Sequence, residues 1–278
     1  MIYFLTVNYY STNLVAKLIS SLPTSTDIDY KIVIINNSPD DDSIDSLQSE
    51  FVMVFDAETN LGFASACNVG IKWVYTQNTQ AIVWIINPDA YLIENTLEKV
   101  QPFFNSHPEI SILGTIVHTP TGEVWFAGGR FIRATGSIFT EDLLTDTNED
   151  YVVSDWVSGC SLIINLAKFR ECPLFDIAYF LYYEDFEFSR RYADEGYLIA
   201  VTKQFGAIHQ PSSITNRYVF RKIKHSTYSY LLTLERYTNK FVLITRLTRL
   251  LGYAIALMFF KPQIALGKFY GVLLYLRR

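Results

Sequence analysis

Residues 82–89 read Ile82-Val-Trp-Ile-Ile-Asn-Pro-Asp89, and they constrain the architecture more than any other part of the chain. A continuous apolar run of this length is typical of a strand that is buried on both faces. The carboxylate of Asp89 would then lie just beyond the end of a central strand, where α/β sheets bind their ligands. Asn-Pro and Pro-Asp are also common turn pairs, so these residues alone favour a turn without function.

Comparable apolar runs alternate with helical patterns over the first ninety residues. The predicted strands are Ile2–Asn8, Lys31–Asn36, Phe51–Phe55 and Ala81–Ile86, and the predicted helices are Ser11–Leu22, Ile44–Glu50 and Ala64–Thr76. Repeated strand–helix–strand units are typical of a parallel sheet with helices on both faces. The sequence therefore predicts an α/β fold whose ligands bind beyond the carboxyl ends of the strands.

The pattern after residue 90 is less regular. The predicted elements are a helix over 91–105, short strands and loops over 111–150, a strand over Tyr151–Ile164, a helix from Asp185 to about Gly196, a strand over Tyr197–Thr202 and long helices beyond Arg217. With 278 residues, half of them hydrophobic, the chain has room for one large domain or for one domain plus an appendage.

Two adjacent carboxylates, Glu184 and Asp185, stand between an aromatic run and the helix that follows. Asp185, Phe188, Ser189 and Tyr192 are spaced to share one face of that helix. The helix dipole favours an acid in the first turn and should keep it ionised. Such a carboxylate could act as a general base, or it could only cap the helix.

Several classes of protein are disfavoured by what the sequence lacks. No G-x-G-x-x-G follows the first strand and no G-x-x-x-x-G-K-[ST] is present, which argues against a nicotinamide dehydrogenase and a P-loop enzyme. The absence of G-x-S-x-G argues against a serine hydrolase. Cys67, Cys160 and Cys172 are scattered and odd in number, so neither a zinc site nor a disulfide framework is indicated. We expect a reduced, cytoplasmic compartment.

Charge is distributed unevenly along the chain. Twelve Lys or Arg residues and a single Glu lie between Arg217 and Arg278, a net charge of +11 against −16 for the preceding residues. The apolar run Leu250–Phe260 within this segment is too short to span a bilayer as a helix. Basic apolar helices suit an anionic membrane surface, and they equally suit a packed helical pair or a dimer. Nucleic-acid binding is not expected, because no recognised module is present.

Six segments, taken together, resemble a known family. They are Thr6-Val-Asn-Tyr9, Val33-Ile-Ile-Asn-Asn-Ser38, Asn60-x-Gly-Phe-Ala-x-x-x-Asn-x-Gly70, Asn87-Pro-Asp89, Trp156-x-x-Gly159 and Tyr183-Glu-Asp-x-Glu-x-x-x-Arg191. Their order and spacing resemble inverting glycosyltransferases of the GT-A fold, in particular the rhamnosyltransferase-like branch of family 2, which is often found in surface-polysaccharide assembly. The resemblance covers about residues 1–215, so it implies a GT-A domain there and a basic, apolar helical region over 216–278.

The resemblance implies a role for each matched position. The nucleotide-sugar side would be formed by Thr6, Asn8, Asn36, Asn60, Phe63, Asn68 and Asp89; a divalent cation, Mg²⁺ or Mn²⁺, by Asp89, Asn87 and His209; and the acceptor side by Gly128, Gly129, Trp156 and Gly159. Asp185 would be the catalytic base, with Glu184 beside it. The chain departs from the family at Asn36, which replaces a usual Asp, and at Asn87, where the metal motif often carries its first Asp.

The implied function is transfer of a sugar from a nucleotide-diphosphate donor to a hydroxyl of a glycan or lipid-linked glycan, with inversion at the anomeric carbon. The expected location is the cytoplasm, with a peripheral position on the inner face of the cell membrane as one option. Two alternatives stay open. A sugar-1-phosphate nucleotidyltransferase also uses an α/β sheet with acidic metal ligands, but its Gly-rich basic first loop is replaced by Asn8-Tyr-Tyr-Ser11. A non-catalytic glycan-binding protein could retain the same fold.

Overall fold

A computed structural model describes residues 1–23, 28–210 and 218–278. The strands are β1 Ile2–Asn8, β2 Tyr30–Asn36, β3 Val52–Asp56, β4 Ile82–Ile86, β5 Ala90–Leu92, β6 Ile110–His118, β7 Val124–Phe126, β8 Gly129–Ile132, β9 Ser137–Thr140, β10 Val152–Val153, β11 Ser161–Asn165 and β12 Leu198–His209. The helices are α1 Thr12–Ser20, α2 Phe63–Gln77, α3 Leu97–Ser106, α4 Glu184–Asp194, α5 Val219–Tyr237, α6 Lys240–Leu257 and α7 Pro262–Arg277.

The main sheet has the strand order β10-β12-β6-β11-β4-β1-β2-β3, with β5 added on β12 and β7 on β6. β1 runs parallel to both β2 and β4, β2 to β3, and β6 to β12, whereas β11 lies antiparallel between β4 and β6. β8 and β9 form a separate hairpin. This mixed, mainly parallel sheet with helices confirms the predicted fold class.

The strands of the first half of the chain form as its apolar runs predict, but the helix predicted over Ile44–Glu50 is a short 3-10 helix over Asp42–Leu47. β1 and β4 are buried along their whole length, and Trp84 at the centre of β4 donates its indole N–H to the hydroxyl of Ser161 on β11 at 3.0 Å. Register in β1 and β2 pairs Asn8 with Asn36. The carboxyl ends of these strands therefore meet at one edge, where the predicted site residues lie.

Four predictions beyond residue 90 are wrong in extent, one of them being the strand predicted over Tyr197–Thr202, which continues to His209 as β12. The start of the helix predicted over 91–105 is strand β5, because residues 90–92 pair with the distant end of β12. Residues 110–118, predicted as short strands and loops, form a long central strand whose Gly114 admits the side chain of Val157. The strand predicted over Tyr151–Ile164 is two strands, β10 and β11, separated by a loop that belongs to the site.

The C-terminal helices are present as predicted, and α5 joins them to the α/β domain. Leu231 of α5 is fully buried and packs with Val272 and Tyr275 of α7 in a small hydrophobic cluster. The predicted domain boundary at 215/216 lies outside the described residues. Among the helices within the described ranges, none combines the length and apolar character needed to cross a bilayer.

Candidate active site

Asp89 and His209 are brought together although 120 positions separate them in the chain. Asp89 lies just after β4, and His209 ends β12. Both side chains are buried, with Nε2 of His209 3.1 Å from Oδ1 of Asp89. The ring of Trp125 packs edge-on against the imidazole at 4.4 Å between centroids. A carboxylate and an imidazole thus share one pocket at the carboxyl end of β4.

Asparagine side chains join the ends of β1, β2 and β3. The amide of Asn8 donates to Oδ1 of Asn36 at 3.1 Å, and the amide of Asn36 donates to Oδ1 of Asp56 at 2.9 Å. Asn8 also accepts from the N–H and hydroxyl of Ser11. An aspartate at position 36 would set a second carboxylate against Asp56, so the amide found here suits its neighbour.

Thr6 lies on β1 two residues before Asn8, so the two side chains point to the same face of the sheet. Its hydroxyl is buried and has no hydrogen-bond partner among residues 1–23, 28–210 and 218–278. A buried hydroxyl without a partner costs free energy, so such groups usually meet a ligand or water. The position predicted to line the nucleotide pocket therefore keeps an available polar atom.

The start of α2 is shaped by Asn37 and Asn60, of which only Asn60 was predicted as a site residue. The amide of Asn37 donates to Oδ1 of Asn60 at 3.0 Å, and its carbonyl accepts the N–H of Leu61 at 2.8 Å. Gly62 has φ of +79°, a left-handed conformation that glycine adopts without strain. A Cβ atom at Gly62 would lie 2.4 Å from the carbonyl oxygen of Phe180, so the turn and the aromatic loop touch directly.

The loop before α4 holds Asp185 in place by strained backbone. Tyr182 and Tyr183 have φ of +70° and +64°, a conformation that is costly for residues other than glycine. The two oxygens of Asp185 accept the N–H groups of Gly159 at 2.9 Å and Phe186 at 2.8 Å. Strain of this kind persists where the surroundings maintain it and is concentrated at functional sites.

Glu184 and Asp185 differ in environment although they are neighbours. Glu184 is buried, and its Oε2 has no hydrogen-bond partner in the part of the chain that the structure describes, whereas Asp185 is partly exposed. Burial raises the pKa of Glu184 well above its usual range, and the charge of Asp185 raises it further. Burial also raises the pKa of Asp185, opposed by the N–H groups of Gly159 and Phe186. Burial therefore disfavours the charged form of Glu184, whereas two backbone N–H groups help to keep the carboxylate of Asp185 charged.

The pKa values of Glu184 and Asp185 are raised, which runs against the expectation that the helix dipole keeps an acid in the first turn ionised. For both carboxyls the cost of burial outweighs the stabilisation that backbone N–H groups give to the charged form. The predicted helical face is confirmed, because Phe188, Ser189 and Tyr192 are all buried beneath Asp185. The hydroxyl of Ser189 donates back to the carbonyl oxygen of Asp185 at 2.8 Å.

Comparison with known proteins places this arrangement in a family. The model of the family "Glycosyl transferase family 2" matches residues 4–163. The chain belongs to glycosyl transferase family 2. A relative, the low-salt glycan biosynthesis hexosyltransferase Agl10 of Haloferax volcanii, is 21% identical over 206 residues, or 73% of this chain. The chain spans 65% of that relative's length.

Two solved structures share the fold of this family 2 chain. GalNAc-T7 with UDP, GalNAc and Mn²⁺ superposes with a TM-score of 0.66 at 15% identity, over 84% of this chain and 47% of that one. The mannosyltransferase PcManGT from Pyrobaculum calidifontis, with GDP-Man and Mn²⁺, gives a TM-score of 0.56 at 12% identity, over 99% and 86%. Neither likeness distinguishes a rhamnosyltransferase-like branch, which stays a prediction.

Two further residues predicted for the donor side of the family 2 domain, Phe63 and Asn68, make different contacts. Phe63 approaches Gly159 from α2, and a Cβ atom at Gly159 would lie 3.4 Å from the Phe63 ring and 3.5 Å from Cβ of Asp185. Asn68 is different, because both ends of its amide bond the backbone of Phe175, at 2.8 and 2.9 Å. Its contribution to the site is therefore to hold the loop that carries Phe175.

The predicted acceptor residues of the family 2 domain form one corner. Gly129 pairs with Trp156 across a β-bridge, and a Cβ atom there would lie 2.3 Å from the indole. Gly128 has φ of +140° and lies against Leu143. The indole N–H of Trp156 is buried, and no acceptor for it exists among the described residues. Gly129 lets the ring of Trp156 approach the backbone. The two glycines therefore shape the proposed acceptor surface and offer no side chain for binding.

A charge cluster around the buried Glu187 was not predicted, although Glu187 and Arg191 stood in the quoted motif. Glu187 of α4 is buried and accepts from Arg191 at 2.9 Å, and Arg236 of α5 lies 3.5 Å away. Arg191 also donates to the carbonyl oxygen of Leu174 at 2.7 Å, and Arg236 pairs with Asp176. The i,i+4 spacing of Glu187 and Arg191 is the one signal available in the sequence.

The predicted metal ligands fit a divalent cation only in part. Within the described residues no group of three or more His, Cys, Asp or Glu side chains is arranged to hold a metal ion. Asp89 and His209 supply two donors, and Nδ1 of His209 is buried without a partner in the described part of the chain. Cations that act on diphosphates take few protein ligands and draw the rest from phosphate oxygens and water, so two donors are compatible.

Proposed function

We propose that this family 2 chain is an inverting glycosyltransferase that acts in the cytoplasm. It moves a sugar from a nucleotide-diphosphate donor to a hydroxyl of a glycan or lipid-linked glycan, in the assembly of a surface polysaccharide or glycolipid. The observation that carries the proposal is the position of Asp185. Its partly exposed carboxylate starts a helix, is aimed by the N–H of Gly159, and lies beside the ring of Phe63.

The residues divide the reaction between them. The acceptor oxygen forms a bond to the anomeric carbon as the bond to the diphosphate oxygen breaks, and the diphosphate leaves with the electron pair. Asp185 receives the proton of the acceptor hydroxyl, and a base with a raised pKa is better matched to this task at neutral pH. Burial disfavours the charged form of Glu184, so Asp185 is the better placed of the two to act as the base. A single displacement inverts the anomeric configuration and needs no covalent intermediate.

The donor pocket is proposed at the carboxyl ends of β1, β2 and β4. Thr6 offers its unpartnered hydroxyl there, and the Asn8–Asn36 pair gives the edge its shape. Asp89 and His209, with Asn87 before them, would hold a divalent cation. When bound, the cation neutralises charge that develops on the leaving diphosphate. The two structural neighbours with Mn²⁺ support a divalent cation without identifying it.

The test begins with the donor. Thermal-shift titration of nucleotide diphosphates and their sugars, with Mg²⁺ or Mn²⁺, identifies a binding donor, and hydrolysis of that donor then gives an activity. Asp185→Asn should retain the thermal shift while transfer falls by roughly 10²–10⁴, as expected on losing a general base. Glu184→Gln is the matched control, because glutamine has nearly the same shape as the uncharged form of Glu184.

Three outcomes would contradict the proposal. Near-normal turnover by Asp185→Asn removes that residue from the mechanism. Release of pyrophosphate from a nucleoside triphosphate and a sugar phosphate would instead indicate a nucleotidyltransferase. Glycan binding without hydrolysis of any bound donor would indicate a binding protein.

A further inference from the structure

The surface of the α6–α7 hairpin is rich in uncovered apolar side chains. Phe241, Ile244 and Ile255 are exposed and recur along one face of α6 at helical spacing, and Phe259, just beyond the end of α6, is exposed as well. Other exposed apolar side chains of the hairpin are Tyr253, Met258, Phe260, Leu266, Tyr270, Leu273, Leu274 and Leu276. A contiguous apolar surface of this kind marks an interaction site in a soluble fold.

The tip of this hairpin is the most exposed part. Phe259 and Phe260, between the end of α6 and the start of α7, are each 83% exposed. Lys261 follows them directly, and Arg249 is exposed on the preceding helix, α6. Aromatic rings adjacent to basic side chains suit the boundary between lipid headgroups and acyl chains.

Charge decides which partner fits this surface. Residues 240–278 contain seven Lys or Arg and no Asp or Glu. A second copy docking by the same surface would bring basic side chains against basic side chains, because a two-fold interface pairs a patch with itself. A bilayer with anionic headgroups offers the complementary charge and also accepts the apolar rings.

We propose that the α6–α7 hairpin binds the surface of an anionic lipid bilayer, with the rings of Phe259 and Phe260 inserted below the headgroups. The surface is fixed to the rest of the fold. Arg246 of α6 donates to the carbonyl oxygen of Thr135 at 2.9 Å and to the hydroxyl of Ser137 at 2.8 Å, both on the β8–β9 hairpin. The proposal stands on these residues and does not depend on the transfer reaction.

Co-sedimentation with vesicles tests the proposal directly. The chain should bind vesicles of phosphatidylglycerol and phosphatidylcholine, bind pure phosphatidylcholine far less, and lose binding as salt rises. The double variant Phe259→Ser, Phe260→Ser should reduce the partition coefficient about tenfold or more. Arg249→Gln with Lys261→Gln should reduce it about 30-fold at low salt, from the effect of two basic residues near an anionic surface.

Matched controls separate this surface from nonspecific attraction. Phe51→Ser removes an exposed ring directly before β3, outside the hairpin. Lys72→Gln with Lys99→Gln removes two exposed charges, one on α2 and one on α3. Both controls should bind as the parent does. The four natural tryptophans lie before residue 157, so Phe259→Trp adds a reporter whose emission should shift to the blue and be quenched by brominated lipids.

Two results would overturn the proposal. One is equal binding of anionic vesicles by the parent and by both hairpin variants. The other is a concentration-dependent dimer in sedimentation velocity that the Phe259→Ser, Phe260→Ser variant abolishes, without vesicle binding by the parent. The second result would assign the surface to another copy of this chain.

Discussion

At the residue scale, two adjacent carboxyls of the same chemistry receive different environments from their surroundings. Glu184 is buried next to the charge of Asp185, and Asp185 is partly exposed and accepts two backbone N–H groups. Burial and the charge of Asp185 raise the pKa of Glu184, whereas the two N–H groups oppose the rise in the pKa of Asp185. The raised pKa of Glu184 links stability to pH.

The stability of the protein should fall as pH rises, in part because of Glu184. Its pKa is higher in the folded than in the unfolded chain, so the contribution present below about pH 4.3 is lost as pH rises toward the folded pKa. Glutamine does not titrate, so Glu184→Gln removes the pH dependence that Glu184 gives to the free energy of unfolding. Melting temperatures measured from pH 5 to 8 should decline less for Glu184→Gln than for the parent. The exposed Glu58→Gln serves as control, and parallel curves for parent and Glu184→Gln would contradict an elevated pKa.

Asp89 and His209 form the second residue-scale pair. Since their contribution to a diphosphate would pass through a cation, Asp89→Ala should weaken binding of the nucleotide diphosphate only when Mg²⁺ or Mn²⁺ is present. Isothermal titration with and without a chelator measures this difference. Donor binding by the parent that does not change on addition of chelator would exclude the metal site.

At the element scale, the start of α2 is fitted against the loop that precedes α4. The N–H of Phe63 donates to the carbonyl oxygen of Phe180 at 2.9 Å, and Gly62 lies against the same carbonyl. Both donor-side and base-side residues are therefore positioned by one contact between elements more than a hundred residues apart. A side chain at Gly62 should separate them.

Gly62→Ala should destabilise the fold by more than the positive-φ backbone alone requires, which is roughly 1–3 kcal/mol. The added Cβ meets a backbone carbonyl that cannot move without moving the loop. Gly122→Ala is the matched control, because its φ is +88° and a Cβ atom there meets nothing within 4 Å. Urea unfolding measures both variants. Equal losses for the two would show that the Phe180 contact contributes nothing.

How much of these elements the sequence predicts depends on where the information lies. β1 and β4 are continuous apolar runs, so local composition identifies them. β5 has three residues and exists because it pairs with the far end of β12, a contact that no local pattern reports. The same holds in the site. Asp185 could be proposed from its helix start and a family motif, whereas the partnership of Glu187 with Arg236 needs the position of α5.

At the scale of the whole molecule, the C-terminal helices are less separable than their charge suggests. Ser229 of α5 donates to the carbonyl oxygen of Leu181 at 3.0 Å, and Thr233 donates to the hydroxyl of Tyr179 at 3.2 Å. His225 stacks on Phe180 with centroids 4.5 Å apart. α5 thus packs on the loop that leads to Asp185, so we expect the described part of the chain to unfold as one unit.

Leu231→Ala tests this cooperativity from a site in α5 whose hydrophobic cluster contains no tryptophan. Leu231 is fully buried, and truncating such a side chain costs about 2–5 kcal/mol. The tryptophans all belong to the α/β domain: Trp73, Trp84, Trp125 and Trp156. If α5 and the domain unfold together, tryptophan fluorescence and far-ultraviolet circular dichroism should shift to the same lower urea midpoint. A fluorescence midpoint equal to that of the parent, with a shift in circular dichroism only, would make the helices an independent appendage after all.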